Sequence, residues 1–249
     1  MKHQFELLAP GGDLDSIKAA IIAGADAVYC GLDRFNARNR ATNLSFDELI
    51  GVTKLAHENN CSVFLTLNII ILEYEIPALF RLLNKLVNSK IDALIVQDIG
   101  LFYILSKYFK TLAVHASTQA TTLNAGQILF LKKLGVSRIN LSRELNIDEV
   151  KSLTDFAHQH SVTTEVFVHG SYCIGFSGLC YLSSAFSGKS GNRGRCTQPC
   201  RDQYETTSTG SSFPLNLKDN SAFSSLQLLI EAGVDSLKIE GRCKGATYV

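Results

Sequence analysis

The sequence predicts an α/β fold, namely a (β/α)8 barrel of the TIM type that takes in residues 1–249 as a single domain. Apolar, β-rich runs recur eight times with amphipathic stretches between them, which is the pattern of βα units around a parallel sheet. No G-x-G-x-x-G follows the first run, so the sequence does not favour a dinucleotide-binding open sheet. The length of 249 residues suits one barrel, although it would also accommodate two small domains.

The predicted strands and helices have recognisable boundaries. Ser45 with Glu48, and Asn146 with Glu149, form capping-box patterns that predict helix starts. A glycine that can end a helix and turn the chain recurs shortly before three of the strands, at Gly24, Gly135 and Gly233. We expect the eight strands at 6–9, 27–31, 62–68, 93–97, 112–116, 138–141, 164–169 and 236–240.

One stretch, residues 170–214, breaks this rhythm. It has little helical or strand periodicity and is far longer than a usual βα loop, which is typical of a functional or disordered segment. Because it follows the seventh predicted strand, we expect it to lie over the C-terminal face of the barrel, where barrel enzymes have their active sites.

Four of the seven cysteines lie in this insertion with the spacing C-x6-C-x15-C-x3-C, at Cys173, Cys180, Cys196 and Cys200. The chain opens with Met1-Lys2-His3-Gln4 and then a strand-like run, without a charged segment followed by an apolar one. This opening predicts a cytoplasmic, reducing location, where clustered thiols are metal ligands more often than disulfides.

The choice of metal depends on the spacing. Zinc sites usually have paired C-x2-4-C knuckles, which only Cys196 and Cys200 approach, whereas an iron–sulfur cluster commonly takes four thiolates and suits a looser spacing. The alternative, small buried core residues, fits poorly with the polar, turn-forming neighbours of the four thiols. Core packing is instead our prediction for Cys30 and Cys61, at the edges of apolar runs, and Cys243 fits either group.

Polar side chains follow the predicted strands and should ring the barrel mouth. The candidates are Asn68, Gln97, Asp98, His115, Ser117, Gln119, Arg143, Glu144, Glu165, His169, Lys238, Glu240 and Arg242. Strand alternation predicts that Glu165 shares a face with His169, and Lys238 with Glu240. Because charges inside a barrel are costly unless paired or used, Lys238 and Glu240 are either a structural ion pair or substrate contacts.

The net charge of +1 gives no overall argument for nucleic-acid binding. A local basic patch in the insertion, Lys189, Arg193, Arg195 and Arg201, predicts either phosphate contacts or a solvated loop. Hydrolase motifs H-E-x-x-H and G-x-S-x-G do not occur. A nucleophilic pair of Cys173 with His169 would remove a thiolate from the predicted metal site.

Several segments resemble one known family over essentially the whole chain. The segments are EVFVHGSYC at 165–173, FSGLCYLSS at 176–184 and GNRGRCTQPCR at 191–201, with LAPGG at 8–12, GADAVY at 24–29, LSREL at 141–145 and SLKIEGR at 236–242. They are similar to the signature blocks of the collagenase-like peptidase family, which is peptidase family U, number thirty-two. Members of that family continue beyond the position that corresponds to Val249, so we expect this chain to be a fragment or a minimal member.

The resemblance implies an oxygen-independent hydroxylase that carries a [4Fe–4S] cluster on Cys173, Cys180, Cys196 and Cys200 and uses prephenate as the hydroxyl source. The Cys-x3-Cys pair before Arg201 is most similar to the branch that hydroxylates ribosomal RNA cytidine, and a tRNA uridine branch is related. We therefore expect His115, Glu165, His169, Lys238 and Arg242 to contact substrate or co-substrate. The alternatives are a peptidase, an iron–sulfur accessory subunit and a ubiquinone-ring hydroxylation protein; Cys243 could also replace a cluster ligand.

Overall fold

Eight parallel strands close into a barrel in the computed structural model, which describes residues 5–38, 42–205, 208 and 210–249. Residues 206, 207 and 209 of the predicted insertion lie outside this range. The barrel strands are β1 Glu6–Pro10, β2 Ala27–Gly31, β3 Ser62–Leu67, β4 Ala93–Val96, β5 Val114–Ala116, β6 Val136–Asn140, β7 Thr163–Gly170 and β9 Ser236–Ile239. Each strand pairs with the next, and the pairing of β9 with both β7 and β1 closes the ring. The predicted (β/α)8 barrel is therefore confirmed.

Helices surround this ring, one further short helix lies in the insertion, and one short strand joins the ring from the insertion side. The helices are α1 Leu14–Ile22, α2 Phe46–Glu58, α3 Ile76–Leu86, α4 Ile99–Tyr108, α5 Ala125–Lys133, α6 Ile147–Gln159, α7 Leu182–Ser187 and α8 Leu226–Glu231. The additional strand, β8 Asn220–Ser221, pairs antiparallel with the end of β7. Within the described residues, no helix is long and apolar enough to cross a membrane.

The predicted helix starts are confirmed in atomic detail. The Ser45 hydroxyl accepts the Glu48 backbone N–H, and the Glu48 carboxylate accepts the Ser45 N–H. Asn146 and Glu149 form the same reciprocal pair at the start of α6. The glycines predicted to turn the chain all have positive φ, at Gly24, Gly135 and Gly233.

The core has an outer and an inner layer. Between strands and helices lies one large apolar cluster, in which Cys30 and Cys61 are buried as predicted. Burial raises the pKa of the Cys30 thiol to about 12, so this thiol stays protonated. Inside the barrel, a small apolar cluster occupies the side of β1 to β4. It consists of Leu8, Ala27, Tyr29, Phe64, Ala93 and Ile95.

Three aspartates clamp neighbouring strands at the end of the barrel opposite the mouth. The Asp26 carboxylate accepts the Leu7 N–H at 2.8 Å, while the Asp26 N–H donates to the Leu7 carbonyl. The same reciprocal pair recurs between Asp92 and Val63, and between Asp235 and Thr164. Each clamp fixes the relative position of two barrel strands: β1 and β2, β3 and β4, and β7 and β9.

The insertion lies over the mouth, as predicted. The Thr121 hydroxyl, after β5, donates to the Ser177 carbonyl, and the Ile70 N–H, after β3, donates to the Asn192 carbonyl at 3.4 Å. Gly178 has φ of +83° and lies so close to the Gln119 carbonyl that an added Cβ would stand 2.0 Å from its oxygen. Only glycine allows this approach, which presses the insertion onto the loop after β5.

Candidate active site

A cavity of about 120 Å³ lies between the barrel mouth and the insertion, and we call it the central cavity. The insertion contributes all four of its cysteines to the wall: Cys173, Cys180, Cys196 and Cys200. The barrel contributes Tyr29, Phe167, Lys238, Glu240 and Arg242, among others. The thiols and the charged strand ends, which the sequence indicated separately, therefore face the same space.

The thiols are held by neighbours from both sides of the cavity. Arg143, after β6, donates to the Cys173 sulfur at 3.5 Å and to the Ser177 hydroxyl at 2.6 Å. The Ser183 hydroxyl donates to the Cys196 sulfur at 3.6 Å. Arg143 thus joins the barrel to the thiol-bearing segment.

The spacing of the thiols bears on the kind of group they could hold. All four thiols line the same cavity, and burial raises the pKa of Cys200. Among the described residues, however, no group of three or more His, Cys, Asp or Glu side chains is arranged to hold a metal ion. Four thiols around a shared cavity fit the donor set of an iron–sulfur cluster, which is wider than a single ion.

Glu165 and Lys238 form a buried ion pair below the central cavity. The Lys238 ammonium lies 2.7 Å from the Glu165 carboxylate, which also accepts a hydrogen bond from Asn140 at 2.6 Å. Burial acts to raise the pKa of Glu165, but Lys238 and then Arg138 outweigh it and hold the pKa below its usual range. The Lys238 ammonium also stands 4.4 Å from the centre of the Tyr29 ring.

Lys238 and Glu240 do not pair with each other, which excludes one of the two expected arrangements. Glu240 instead binds Arg38 at 3.0 Å, and the pairing of β7 with β9 gives Lys238 its partner Glu165. Burial acts to raise the pKa of Glu240, whereas Arg38, Arg143 and Arg242 together lower it. Both residues still line the central cavity, although the last strand ends at Ile239, one residue before Glu240.

Arg38 was missed by the sequence reasoning, and Arg242 was found. Arg38 lies in the loop after β2, and loops that follow barrel strands commonly supply active-site residues. Its position after a predicted strand could therefore have indicated it. The buried Arg242 donates to the Thr66 hydroxyl at 2.7 Å and stands 5.7 Å from the Tyr29 ring centre. Its burial lowers its pKa.

The two histidines proposed for the site do not line the central cavity. His115 is buried edge-on against the Phe64 ring, with a centroid distance of 4.8 Å. His169 is exposed and lies against the Tyr248 ring at 5.9 Å. The register of β7 against β9 shifts between Phe167 and His169, so strand alternation breaks there and His169 leaves the face that Glu165 and Phe167 share.

Because His115 is buried, we expect a measurable loss of folding stability in mild acid. Burial, and then Arg138, lower its pKa to about 3, whereas an unfolded histidine titrates near 6.5. Below about pH 6.5 this histidine binds a proton in the unfolded chain but not in the folded protein, so the folding stability falls as the pH falls. From about pH 7.5 to about pH 5 the loss should be about 2 kcal/mol.

Urea unfolding at both pH values checks this expectation. The His115→Leu variant should lose less stability on acidification than the wild type, because it removes the group that resists protonation. His160→Leu, at the end of α6, is the matched control and should leave the pH dependence of the wild type in place. Equal pH dependence in the wild type and in His115→Leu would contradict the explanation.

The predicted basic patch divides into two pairs. Arg193 binds Glu75 with both guanidinium nitrogens, at 2.8 and 3.1 Å. Arg201 donates to Asn216, to the Leu217 carbonyl and to the Tyr172 carbonyl. Lys189 and Arg195 are exposed and form no ion pair within the described residues. Arg193 and Arg201 therefore hold the insertion in place, whereas Lys189 and Arg195 are available to an anionic ligand.

Removal of Arg193 should loosen the insertion. Arg193→Ala breaks a bidentate pair that joins the insertion to the loop before α3, at a cost of about 1–3 kcal/mol. We expect amide hydrogen exchange of 189–201 to accelerate by about tenfold or more. Arg195→Ala, two residues away and exposed, is the matched control and should leave exchange unchanged. Equal protection in both variants would show that the pair does not hold the segment.

The fold and the site define an α/β barrel whose mouth is covered by a thiol-bearing insertion. The chain belongs to peptidase family U32, whose profile matches residues 12–249. A solved member, the U32 peptidase Mk0906, covers 95% of this chain and 93% of its own, with a TM-score of 0.65 and 13% identity. At that identity the likeness concerns the fold alone.

Three relatives illustrate the functions named within the family. The 23S rRNA 5-hydroxycytidine C2501 synthase of Escherichia coli is 40% identical over 99% of this chain and 38% of its own length. The tRNA hydroxylation protein P1 of Bacillus subtilis is 32% identical, over 98% and 60% respectively. A collagenase of Porphyromonas gingivalis is 31% identical, over 99% and 63%. The chain thus spans less than two thirds of the length of each of these relatives.

Proposed function

We propose that the protein hydroxylates an RNA base, a cytidine of ribosomal RNA or a uridine of tRNA, and that its four cavity cysteines hold an iron–sulfur cluster. The observation that carries the proposal is the position of the thiols, which face the charged strand ends across one cavity. The names of two relatives, both hydroxylation proteins, support RNA as the substrate class.

The residues that would hold the cluster are Cys173, Cys180, Cys196 and Cys200. When bound, an iron–sulfur cluster supplies one-electron chemistry close to the substrate. Four thiolates bring negative charge into the central cavity, and Arg143, which already donates to Cys173, offsets part of it. The remaining arginines of the wall act in the same direction.

The charge of the cavity wall supports an anionic co-substrate such as prephenate. Among the residues that the structure describes, four cationic side chains line it against one carboxylate, that of Glu240: Arg38, Arg143, Lys238 and Arg242. Arginine and lysine bind carboxylates through charge-assisted hydrogen bonds, so a dicarboxylate suits this wall. Replacing an aromatic hydrogen by hydroxyl is a two-electron oxidation, and the co-substrate would give up the hydroxyl oxygen and accept those electrons.

Two aromatic side chains of the wall position Lys238. Tyr29 and Phe167 line the cavity, and the Tyr29 hydroxyl is fixed by donating to the Ile239 carbonyl at 2.8 Å. The Lys238 ammonium stands 4.4 Å from the centre of the Tyr29 ring and 5.4 Å from that of Phe167. Glu165 does not reach the cavity wall and acts through Lys238, whose ammonium it holds. Glu165 is therefore a positioning residue.

Anaerobic turnover tests the proposal. Protein loaded with iron and sulfide is incubated with ribosomal RNA or tRNA and prephenate, and the digested nucleosides are analysed by mass spectrometry. We expect 5-hydroxycytidine or 5-hydroxyuridine that depends on both the loaded protein and prephenate. A nucleoside pool without either product, alongside hydroxylation of a quinone or no turnover, would favour the quinone or accessory-subunit alternatives.

A peptidase is the second candidate, because a collagenase is among the relatives. In the described residues the hydrogen-bond partner of Cys173 is Arg143, and His169 packs on Tyr248, so a Cys–His nucleophile pair is not formed. Cleavage of denatured collagen by the purified protein after removal of its iron would favour the peptidase over the hydroxylase.

A further inference from the structure

Two adjoining hollows lie beside the barrel mouth, outside the central cavity. Their volumes are about 320 and 350 Å³, and they share Asp33, Arg34, Phe35 and Ala78 in their walls. The first also includes Arg193 and Arg195 of the insertion, and the second follows α3 as far as Lys85. We call this continuous depression the α3 groove.

The α3 groove concentrates positive charge. Within the described part of the chain, five cationic side chains line it, Arg34, Arg81, Lys85, Arg193 and Arg195, against two acidic ones, Asp33 and Glu75. The net charge of the whole chain is only +1. Glu75 forms an ion pair with Arg193. The other four cationic side chains are exposed and form no ion pair within the described residues. These four charges are therefore available to a polyanion.

The cations are spread along the groove. Ala78, Arg81 and Lys85 are three and four residues apart, so they lie on one face of α3. From Ile76 to Lys85 the helix rises about 14 Å, which gives the groove the length of several nucleotides. At its upper end Arg193 directly follows Asn192, which lines the central cavity. The groove therefore begins beside the active site and leads away from it.

An exposed aromatic ring accompanies these charges. Tyr74 is 76% exposed and lines the upper hollow beside Glu75. Proteins that bind single strands combine a cationic track for the phosphates with aromatic rings on which unpaired bases stack. A base that enters the central cavity must leave its own stack, so the strand next to it is unpaired as well.

We propose that the α3 groove binds the single strand of RNA that flanks the target base. This inference rests on the proposed function and adds the path that the substrate takes across the surface. The phosphates contact Arg195 and Arg34 near the mouth and Arg81 and Lys85 along α3, and a base stacks on Tyr74. The groove reads the backbone, so binding at this site is largely independent of sequence.

Salt-dependent binding tests the proposal. The probe is a fluorescein-labelled, unstructured 12-nucleotide RNA, titrated with anaerobically purified, iron-loaded protein at several potassium chloride concentrations. If four cations each neutralise one phosphate, log Kd should change with log salt with a slope of about 2.8. The double variant Arg81→Gln with Lys85→Gln should reduce that slope by about 1.4. Arg81→Lys, which keeps the charge, should retain it.

A matched control uses basic residues elsewhere. Lys110 and Lys133 are exposed near the ends of α4 and α5, opposite the mouth, and their double change to Gln should keep the slope of the wild type. If the wild type binds RNA and the Arg81 and Lys85 double variant has the same slope, the α3 groove is not the RNA site, and the proposed function still stands. Binding of an acidic protein in the α3 groove in place of RNA would have the same meaning.

The two proposals fail in different ways. A reduced slope in the groove variant, together with unaltered iron content and no hydroxylated nucleoside from the wild type, would support the groove and contradict the hydroxylase. The absence of binding to the 12-nucleotide RNA by the wild type at every salt concentration would overturn the groove, and the turnover assay decides the hydroxylase.

Discussion

Serine in place of Cys173, Cys180, Cys196 or Cys200 should abolish iron binding and hydroxylation in each single variant. A cubane held by four thiolates contains about four iron and four sulfide ions per chain, and a serine hydroxyl is a poor substitute for a thiolate ligand. Anaerobically purified wild type should be brown, and each variant should be colourless or lose most of its iron. Iron, sulfide and visible absorption are measured on the same samples.

The remaining cysteines provide matched controls. Cys30→Ser and Cys61→Ser alter buried thiols of the apolar core and should keep the iron, although the buried hydroxyl costs stability. Cys243→Ser decides whether that exposed thiol, which does not line the central cavity, is a ligand, and we expect it to keep the iron too. One zinc ion per chain without visible absorption would contradict the cluster.

Lys238→Met should destabilise the barrel by about 3–5 kcal/mol, because it leaves the Glu165 carboxylate buried without its partner. The second cation near Glu165, Arg138 at 3.7 Å, already binds Glu6 and cannot fully replace the lysine. Urea unfolding at neutral pH measures the loss. Hydroxylation should also disappear, because Lys238 lies in the cavity wall. The iron should be retained, because among the described residues Lys238 forms no hydrogen bond to the cysteines.

A double change separates the charge from the packing. Glu165→Gln combined with Lys238→Met removes both buried charges, and most of the lost stability should return, since the cost lies in the unpaired charge. Activity should stay absent in this double variant, because the ammonium group is still missing. A single Lys238→Met variant that unfolds like the wild type would contradict this account of the pair.

The barrel could be predicted from the sequence because its signals are local. All eight strands appear within two residues of their expected positions, since each depends on a short apolar run and on a cap or glycine nearby. The cavity cysteines were also found, because their spacing and their place after the seventh strand are properties of the chain itself.

The sequence could not predict contacts between distant segments. Lys238 was compared with Glu240 on its own strand, but its partner is Glu165, which becomes its neighbour only when β7 and β9 pair. His169 was placed by strand alternation, and an irregularity in that same pairing moves it out of the cavity. Arg193 was predicted to contact phosphate or to lie in a solvated loop, and Glu75, 118 residues away, binds it in the folded protein.

The three aspartate clamps close loops of very different length. They join residues that are 19, 29 and 71 positions apart in the chain. Release of the clamp between Asp235 and Thr164 frees the longest loop. The gain in chain entropy favours this release by about 1 kcal/mol of free energy more than it favours release of the clamp between Asp26 and Leu7. That loop contains the whole insertion. Opening of the clamp between Asp235 and Thr164 alone therefore loosens the segment that carries the thiols, while the Glu165–Lys238 ion pair keeps the β7–β9 seam itself closed.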